Sequence, residues 1–156
     1  MPSILVVCTA NICRSPMAEA ILKRLVSALP DAAEWHIESA GTVALPGSLP
    51  APLSQYVMQT QGMDISAHRS QPIDAELLRR FDLVLTMEHY HKAVLQEVFR
   101  DQSARIFMLS EMAGLVQDIP DPIGGDLEDY QATTDMLTRM LSDGLDRIIQ
   151  QARGST

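Results

Sequence analysis

The chain has 156 residues, 46% of them hydrophobic, which suits one globule with a sizeable core. Its formal net charge of -8 argues against generic nucleic-acid binding, which needs a basic face, so any anionic ligand must be drawn by a local site. There is no long apolar run and no charged segment leading an apolar stretch at the N-terminus, so no membrane insertion and no signal peptide are expected, and the expected compartment is the cytoplasm.

In chain order, Ile4 to Val7 is a short apolar run of branched residues, the pattern of a strand buried on both faces. Met17, Ile21, Leu25 and Ala28 then share one helical face, with Ser15 as N-cap, Pro16 at the first helical position and a stop at Pro30-Asp31. Further strands are expected around His36 to Glu38, Leu83 to Met87 and Arg105 to Leu109, and helices over Pro52 to Gln61, Asp74 to Arg79 and Tyr90 to Phe99. The segment Gly41 to Pro52, rich in Gly and Pro, reads as a loop. Tyr130, Leu137, Leu141, Leu145 and Ile148 form the stripe of one terminal helix entered by Asp126 as N-cap. Alternating strands and helices imply parallel strands joined by crossovers, and residues 1–156 read as a single domain.

The only two cysteines, Cys8 and Cys13, sit in the loop after the first strand, too close together to staple a fold, so they read as chemistry. Open parallel sheets bind ligands beyond the carboxyl ends of their strands, where this loop lies. The backbone N–H groups from Thr9 through Ala10, Asn11, Ile12, Cys13 and Arg14 to Ser15 can converge on an anion, aided by the positive end of the helix and the planar fork of Arg14. The same donors favour a thiolate at Cys8 and would hold the oxygens of a phosphoryl group under attack.

At "VCTANICRSPMAEA" the chain resembles the low-molecular-weight protein tyrosine phosphatases, and "ESAGT", "ISAHRSQPI", "FDLVLTME" and "DIPDPIGG" extend the resemblance over most of the length. The resemblance implies a three-layer α/β fold, Rossmann-like or flavodoxin-like, with a central four-stranded parallel sheet flanked by helices. It also implies a phosphocysteine mechanism without metal or cofactor. Carried over position by position, Cys8 is the nucleophile, Arg14 the phosphate clamp, Ser15 a donor to the thiolate and Asp121 the general acid. Hydrogen bonds from Asn11 to Ser15, Ser39 and His68 would brace the loop, although Ser39 and His68 also read as an ordinary strand-end serine and a satisfied histidine. The family usually has glycine where Ala10 stands, and alanine at positive φ there would cost on the order of 1 kcal/mol.

"QDIPDPIGG" offers two carboxylates. Asp121, between Pro120 and Pro122, is the better acid, and Asp118 reads as a solvated charge or a backup acid. Cys13 is a packed residue at rest and a resolving thiol if Cys8 is oxidised to sulfenic acid. His89 and His91 stand two apart without a third ligand and read as surface residues rather than a metal site. Tyr90, Tyr130 and Trp35 read as packing or surface residues, and the nine methionines as core filler.

For substrate, Ile12 is expected to wall an aryl slot, with Leu45 and Ile123 on its rim. The family often carries aromatics after the Asp-Pro pair, whereas Ile123-Gly124-Gly125 stands here, as in the related bacterial protein arginine phosphatases. Those tend to carry threonine at the position of Ile12, so Ile12 favours phosphotyrosine. Alternatives are an arginine phosphatase or a non-catalytic anion-binding module that would need no acid. A thioredoxin-coupled arsenate reductase is disfavoured because no cysteine follows Cys13. The expected partner is a phosphotyrosine protein, with a bacterial tyrosine kinase as the family analogy.

Overall fold

The structure, a computed structural model, describes residues 1–154, so positions 155 and 156 of the expected 1–156 domain lie outside the described residues. Four strands, β1 (Ser3–Cys8), β2 (His36–Gly41), β3 (Leu83–Thr86) and β4 (Ile106–Met108), form one parallel sheet in the order β2-β1-β3-β4. Strand order reverses at β1, whose partners are β2 on one side and β3 on the other. A crevice is therefore created beyond Cys8, the last residue of β1.

Both faces of β1 are buried, which is why its sequence is apolar without alternation. Ile4, Val6 and Cys8 face a larger core with Met17, Leu22, Tyr130 and Leu141, and Leu5 and Val7 face a smaller one with Leu78, Phe81 and Leu95. The larger core is covered by α1 (Arg14–Val26), α2 (Pro52–Thr60), α5 (Leu109–Met112), α6 (Leu127–Asp143) and α7 (Leu145–Ala152). The smaller is covered by α3 (Ala75–Arg79) and α4 (His89–Val98). The sheet thus lies between two helical layers. Met17, Met58, Met87, Met112 and Met140 are buried in the larger core, so most of the methionines fill it.

Three local expectations are corrected. Helix α1 begins at Arg14, so Ser15 lies inside its first turn with its hydroxyl turned to Cys8 instead of capping, and Pro16 takes the third position, where its missing N–H still costs no helical bond. The helix ends at Val26 rather than Pro30, and Leu22 and Val26 fill the core where Ala28 is exposed. The single terminal helix is two, α6 and α7, broken at Gly144. A Cβ there would stand 2.9 Å from the Met112 backbone carbon and 2.9 Å from the Met140 carbonyl oxygen, so close packing against α5 sets the break. Asp126 does cap α6, accepting from Asp129 N at 3.1 Å while Asp129 accepts from Asp126 N at 3.0 Å.

Candidate active site

The loop between β1 and α1 turns its carbonyls outward. Those of Cys8 and Thr9 accept from Thr42 N (3.0 Å) and Val43 N (2.9 Å), that of Ile12 accepts from Ala51 N (2.8 Å), and that of Asn11 is engaged by His68 Nε2 (2.9 Å). The Gly41 to Pro52 loop is therefore the outer brace of this turn. Among the described residues no acceptor engages the backbone N–H groups of Thr9 to Cys13, and those of the first turn of α1 add to them, an arrangement that favours an anion. Gly41, opposite Cys8 in the sheet, permits the close approach: a Cβ there would press on the Thr9 carbonyl and lie 3.0 Å from Asn11 N.

The loop's one residue of positive φ is Asn11, at 58°, and not Ala10, so the strain raised for alanine does not arise. Asparagine tolerates this conformation. Its fully buried amide is also the hub of a polar chain. Gln71 N donates to Asn11 Oδ1 at 3.0 Å, which fixes the amide's orientation, and Nδ2 then gives one proton to Ser15 Oγ (2.8 Å) and one to Ser39 Oγ (2.9 Å). Each serine must direct its own proton elsewhere. Ser39 donates to Glu19 Oε1 at 2.6 Å, and Ser15 has Cys8 Sγ at 3.0 Å and the Ala40 carbonyl at 3.5 Å. The shorter partner is the thiol sulfur, so the chain ends by offering a proton to Cys8.

Arg14 is 1% exposed, and its guanidinium is clamped along its rear edge: Nη1 donates to Glu88 Oε2 at 2.6 Å and to the Ile119 carbonyl at 2.8 Å. The other edge, Nε and Nη2, is only loosely engaged. Nη2 lies 3.4 Å from Thr9 Oγ1 and 3.4 Å from Asp121 Oδ2, and Nε is buried with no partner among the described residues. Those two nitrogens form the fork that two phosphoryl oxygens fit.

Asp121 accepts from Ile123 N through Oδ1 at 3.1 Å and shares one small cleft with Cys8, Ala10, Ile12, Cys13, Arg14 and Ile123. Asp118 is placed elsewhere, accepting from His89 N at 2.7 Å at the start of α4. Ile12 packs against the larger core and Ile123 is 53% exposed at the cleft mouth. Leu45 is not brought to the cleft. It is 74% exposed, and the 41–51 loop instead uses that residue's carbonyl to accept from Ser70 Oγ.

Cys13 is buried against Tyr130, whose hydroxyl lies 3.5 Å from its sulfur. Burial pushes the Cys13 thiol above its usual range despite that contact, and burial with the neighbouring thiol raises the Tyr130 phenol. Two residues of this region escape sequence reasoning. Glu88 clamps Arg14, and His91, read as a surface residue, is fully buried beside Thr9. His89 is exposed.

A family model described as "Low molecular weight phosphotyrosine protein phosphatase" matches residues 3–153. The chain is 37% identical over 146 residues to a probable low molecular weight protein-tyrosine-phosphatase EpsP of Ralstonia nicotianae, covering 94% of this chain and 95% of that one. It is 34% identical over 139 residues to a protein-arginine-phosphatase of Bacillus subtilis, covering 88% and 91%. Among solved structures, a YwlE arginine phosphatase mutant with a phosphorylated active site serine superposes with a TM-score of 0.89 at 32% identity, covering 97% of this chain and 98% of that one.

Proposed function

The chain belongs to the low molecular weight phosphotyrosine protein phosphatase family, and from that premise we propose that it hydrolyses protein phosphotyrosine through a phosphocysteine on Cys8. The observation that carries this reading is the single cleft in which Cys8, the Arg14 fork and Asp121 meet under unengaged loop N–H groups. The Cys8 thiolate attacks phosphorus in line while the loop amides and the Nε and Nη2 protons of Arg14 hold the equatorial oxygens. Asp121 passes its proton to the departing phenolic oxygen, so the P–O bond breaks as the S–P bond forms and tyrosine leaves neutral. The resulting Asp121 carboxylate takes a proton from water. That water attacks the phosphocysteine, releasing inorganic phosphate and returning Cys8 as thiolate, to which Ser15 Oγ donates. Every step uses side chains, loop amides and water, so the reading calls for no metal or cofactor.

The phosphorylated active site serine of the YwlE mutant supports a phosphoenzyme at the matching position here. The protein-arginine-phosphatase relative keeps a second reading in play. Against it, Ile12 lines the cleft with an apolar wall that suits a phenyl ring better than a guanidinium. We assign residues 1–156 to one catalytic domain and its compartment to the cytoplasm, where a reducing milieu suits two free cysteines. Among the described residues no helix is long and apolar enough to cross a membrane. The substrate class is a phosphoprotein, and a bacterial tyrosine kinase is the partner proposed by family analogy.

Turnover of p-nitrophenyl phosphate by wild type, abolished in Cys8→Ser and strongly reduced in Asp121→Asn, is the expected outcome. Absence of wild-type turnover would leave the non-catalytic anion-binding module standing. With peptides, phosphotyrosine should be hydrolysed far faster than phosphoarginine and Ile12→Thr should narrow the gap; a wild-type preference for phosphoarginine would reverse the substrate assignment.

A further inference from the structure

His91 takes no part in the steps above, yet its ring is fully buried at the edge of the site. Glu88 N donates to its Nδ1 at 3.2 Å, and its Nε2 stands 2.8 Å from Thr9 Oγ1. Because Nδ1 accepts, the proton of a neutral ring is on Nε2 and goes to the threonine hydroxyl. Thr9 Oγ1 also receives Arg14 Nη2, at 3.4 Å, so the hydroxyl acts as an acceptor toward both. We propose that His91 is a positioning residue for phosphoryl transfer: as a neutral ring it fixes the Thr9 hydroxyl as an acceptor for Arg14 and so keeps the guanidinium fork in line with Cys8. This rests on the phosphatase reading.

The charges around His91 come from three segments. Arg14 belongs to α1, Glu88 stands at the entry of α4 with Oε2 at 3.8 Å, and Asp118 and Asp121 lie in the acid loop. The three carboxylates favour a cationic ring, but burial first and Arg14 second hold the imidazole below its usual range, so it is neutral at neutral pH. A proton on Nδ1 would set a second cation beside Arg14 and remove the acceptor of Glu88 N–H. The neutral ring is thus the form that keeps both the α4 entry and the Thr9 contact.

The test is a double-mutant cycle on His91→Phe and Thr9→Val, with His91→Gln as the rescue that puts an amide nitrogen near the place of Nε2. It reads kcat and KM for p-nitrophenyl phosphate, competitive inhibition by inorganic phosphate, and Tm. Each single change should lower kcat/KM about tenfold and weaken phosphate inhibition by a similar factor. The double variant should be no more than about threefold below the weaker single, and His91→Gln should come within about threefold of wild type. Multiplying effects, near a hundredfold in the double variant, would overturn the proposal, as would His91→Gln as inactive as His91→Phe at wild-type Tm. If His91→Phe fails to fold, equal activity of Thr9→Val and Thr9→Ser overturns it instead. An inactive wild type refutes the phosphatase reading, whereas additive losses in an active enzyme refute only the role of His91.

Discussion

Replacing Asn11 separates the backbone, hydrogen-bond and proton-direction parts of the loop. Alanine at φ 58° costs roughly 1–2 kcal/mol that asparagine avoids. It also deletes the bonds to Ser15 (2.8 Å), Ser39 (2.9 Å) and Gln71 N (3.0 Å), at about 0.5–1.5 kcal/mol apiece. The sum is a loss of about 3–6 kcal/mol in urea unfolding for Asn11→Ala, and Asn11→Gly should recover about 1 kcal/mol of it by relieving the φ strain. Asn11→Asp asks a different question. A carboxylate cannot donate, so the single proton of Ser15 turns from Cys8 to the new carboxylate, and the thiolate loses a charge-assisted bond of about 1.5–3 kcal/mol while gaining a buried negative neighbour. The expected result with p-nitrophenyl phosphate is a kcat lower by about ten- to 150-fold. An Asn11→Asp enzyme within about threefold of wild type would refute the assigned direction of the proton chain, and a glycine variant no more stable than the alanine variant would refute the backbone part.

Other perturbations test neighbouring parts. Glu88→Ala removes the rear clamp of a 1%-exposed Arg14, and because Glu88 is itself 30% exposed the loss is set at about 2–3 kcal/mol rather than the full cost of an orphaned buried cation; Glu88→Gln, which retains a hydrogen bond, should lose about half as much in the same unfolding assay. Gly41→Ala drives a Cβ into the Thr9 carbonyl and to 2.9 Å from the Ala44 Cβ, so stability should fall by about 2 kcal/mol or more and turnover should collapse with the loop. Peroxide treatment should yield a reducible Cys8–Cys13 link in mass mapping, the sulfenic acid on Cys8 being displaced by the Cys13 sulfur with loss of water; irreversible oxidation without that link would remove the resolving role of Cys13. On the acid side the folded state holds His91 neutral while an unfolded chain binds a proton below 6.5, so stability should fall as pH drops through 6.5 and His91→Gln should flatten that fall. On the alkaline side the raised Cys13 thiol keeps its proton when folded, so stability should decline above pH 9.0, and less so in Cys13→Ala.

What the sequence made legible divides by distance along the chain. The buried strands announce themselves as short apolar runs, and the shell from Cys8 to Ser15 is contiguous, so its chemistry could be read without knowing what packs on it. The expected cap of α1 is not formed because Ser15 serves the sulfur of Cys8, a tertiary demand that outweighs its capping preference. The break at Gly144 was invisible because its cause, the approach of Met112, lies on another helix. Leu45 follows the same logic: an apolar residue in a loop suggests a place on the slot's rim, but that loop is anchored through its backbone and leaves the side chain in water, away from the residues that line the cleft.

Glu88 and His91 make contacts 74 and 82 residues away in sequence, and no periodicity or spacing reports such pairs. The topology does contain the signal. In the order β2-β1-β3-β4, the end of β3 lies beside the end of β1, with Thr86 opposite Val7 and Met87 N donating to the Val7 carbonyl at 3.0 Å. Whatever follows Thr86 must therefore lie against whatever follows Val7. A guanidinium drawn into that crevice to meet phosphate loses its water on every side, including the sides that phosphate does not touch, and that loss must be offset by fixed acceptors. The first polar side chain after β3 is the carboxylate of Glu88, and one helical turn of α4 brings His91 to the same edge. Strand order and the burial of one cation thus account for both residues, where neither is marked by its local sequence.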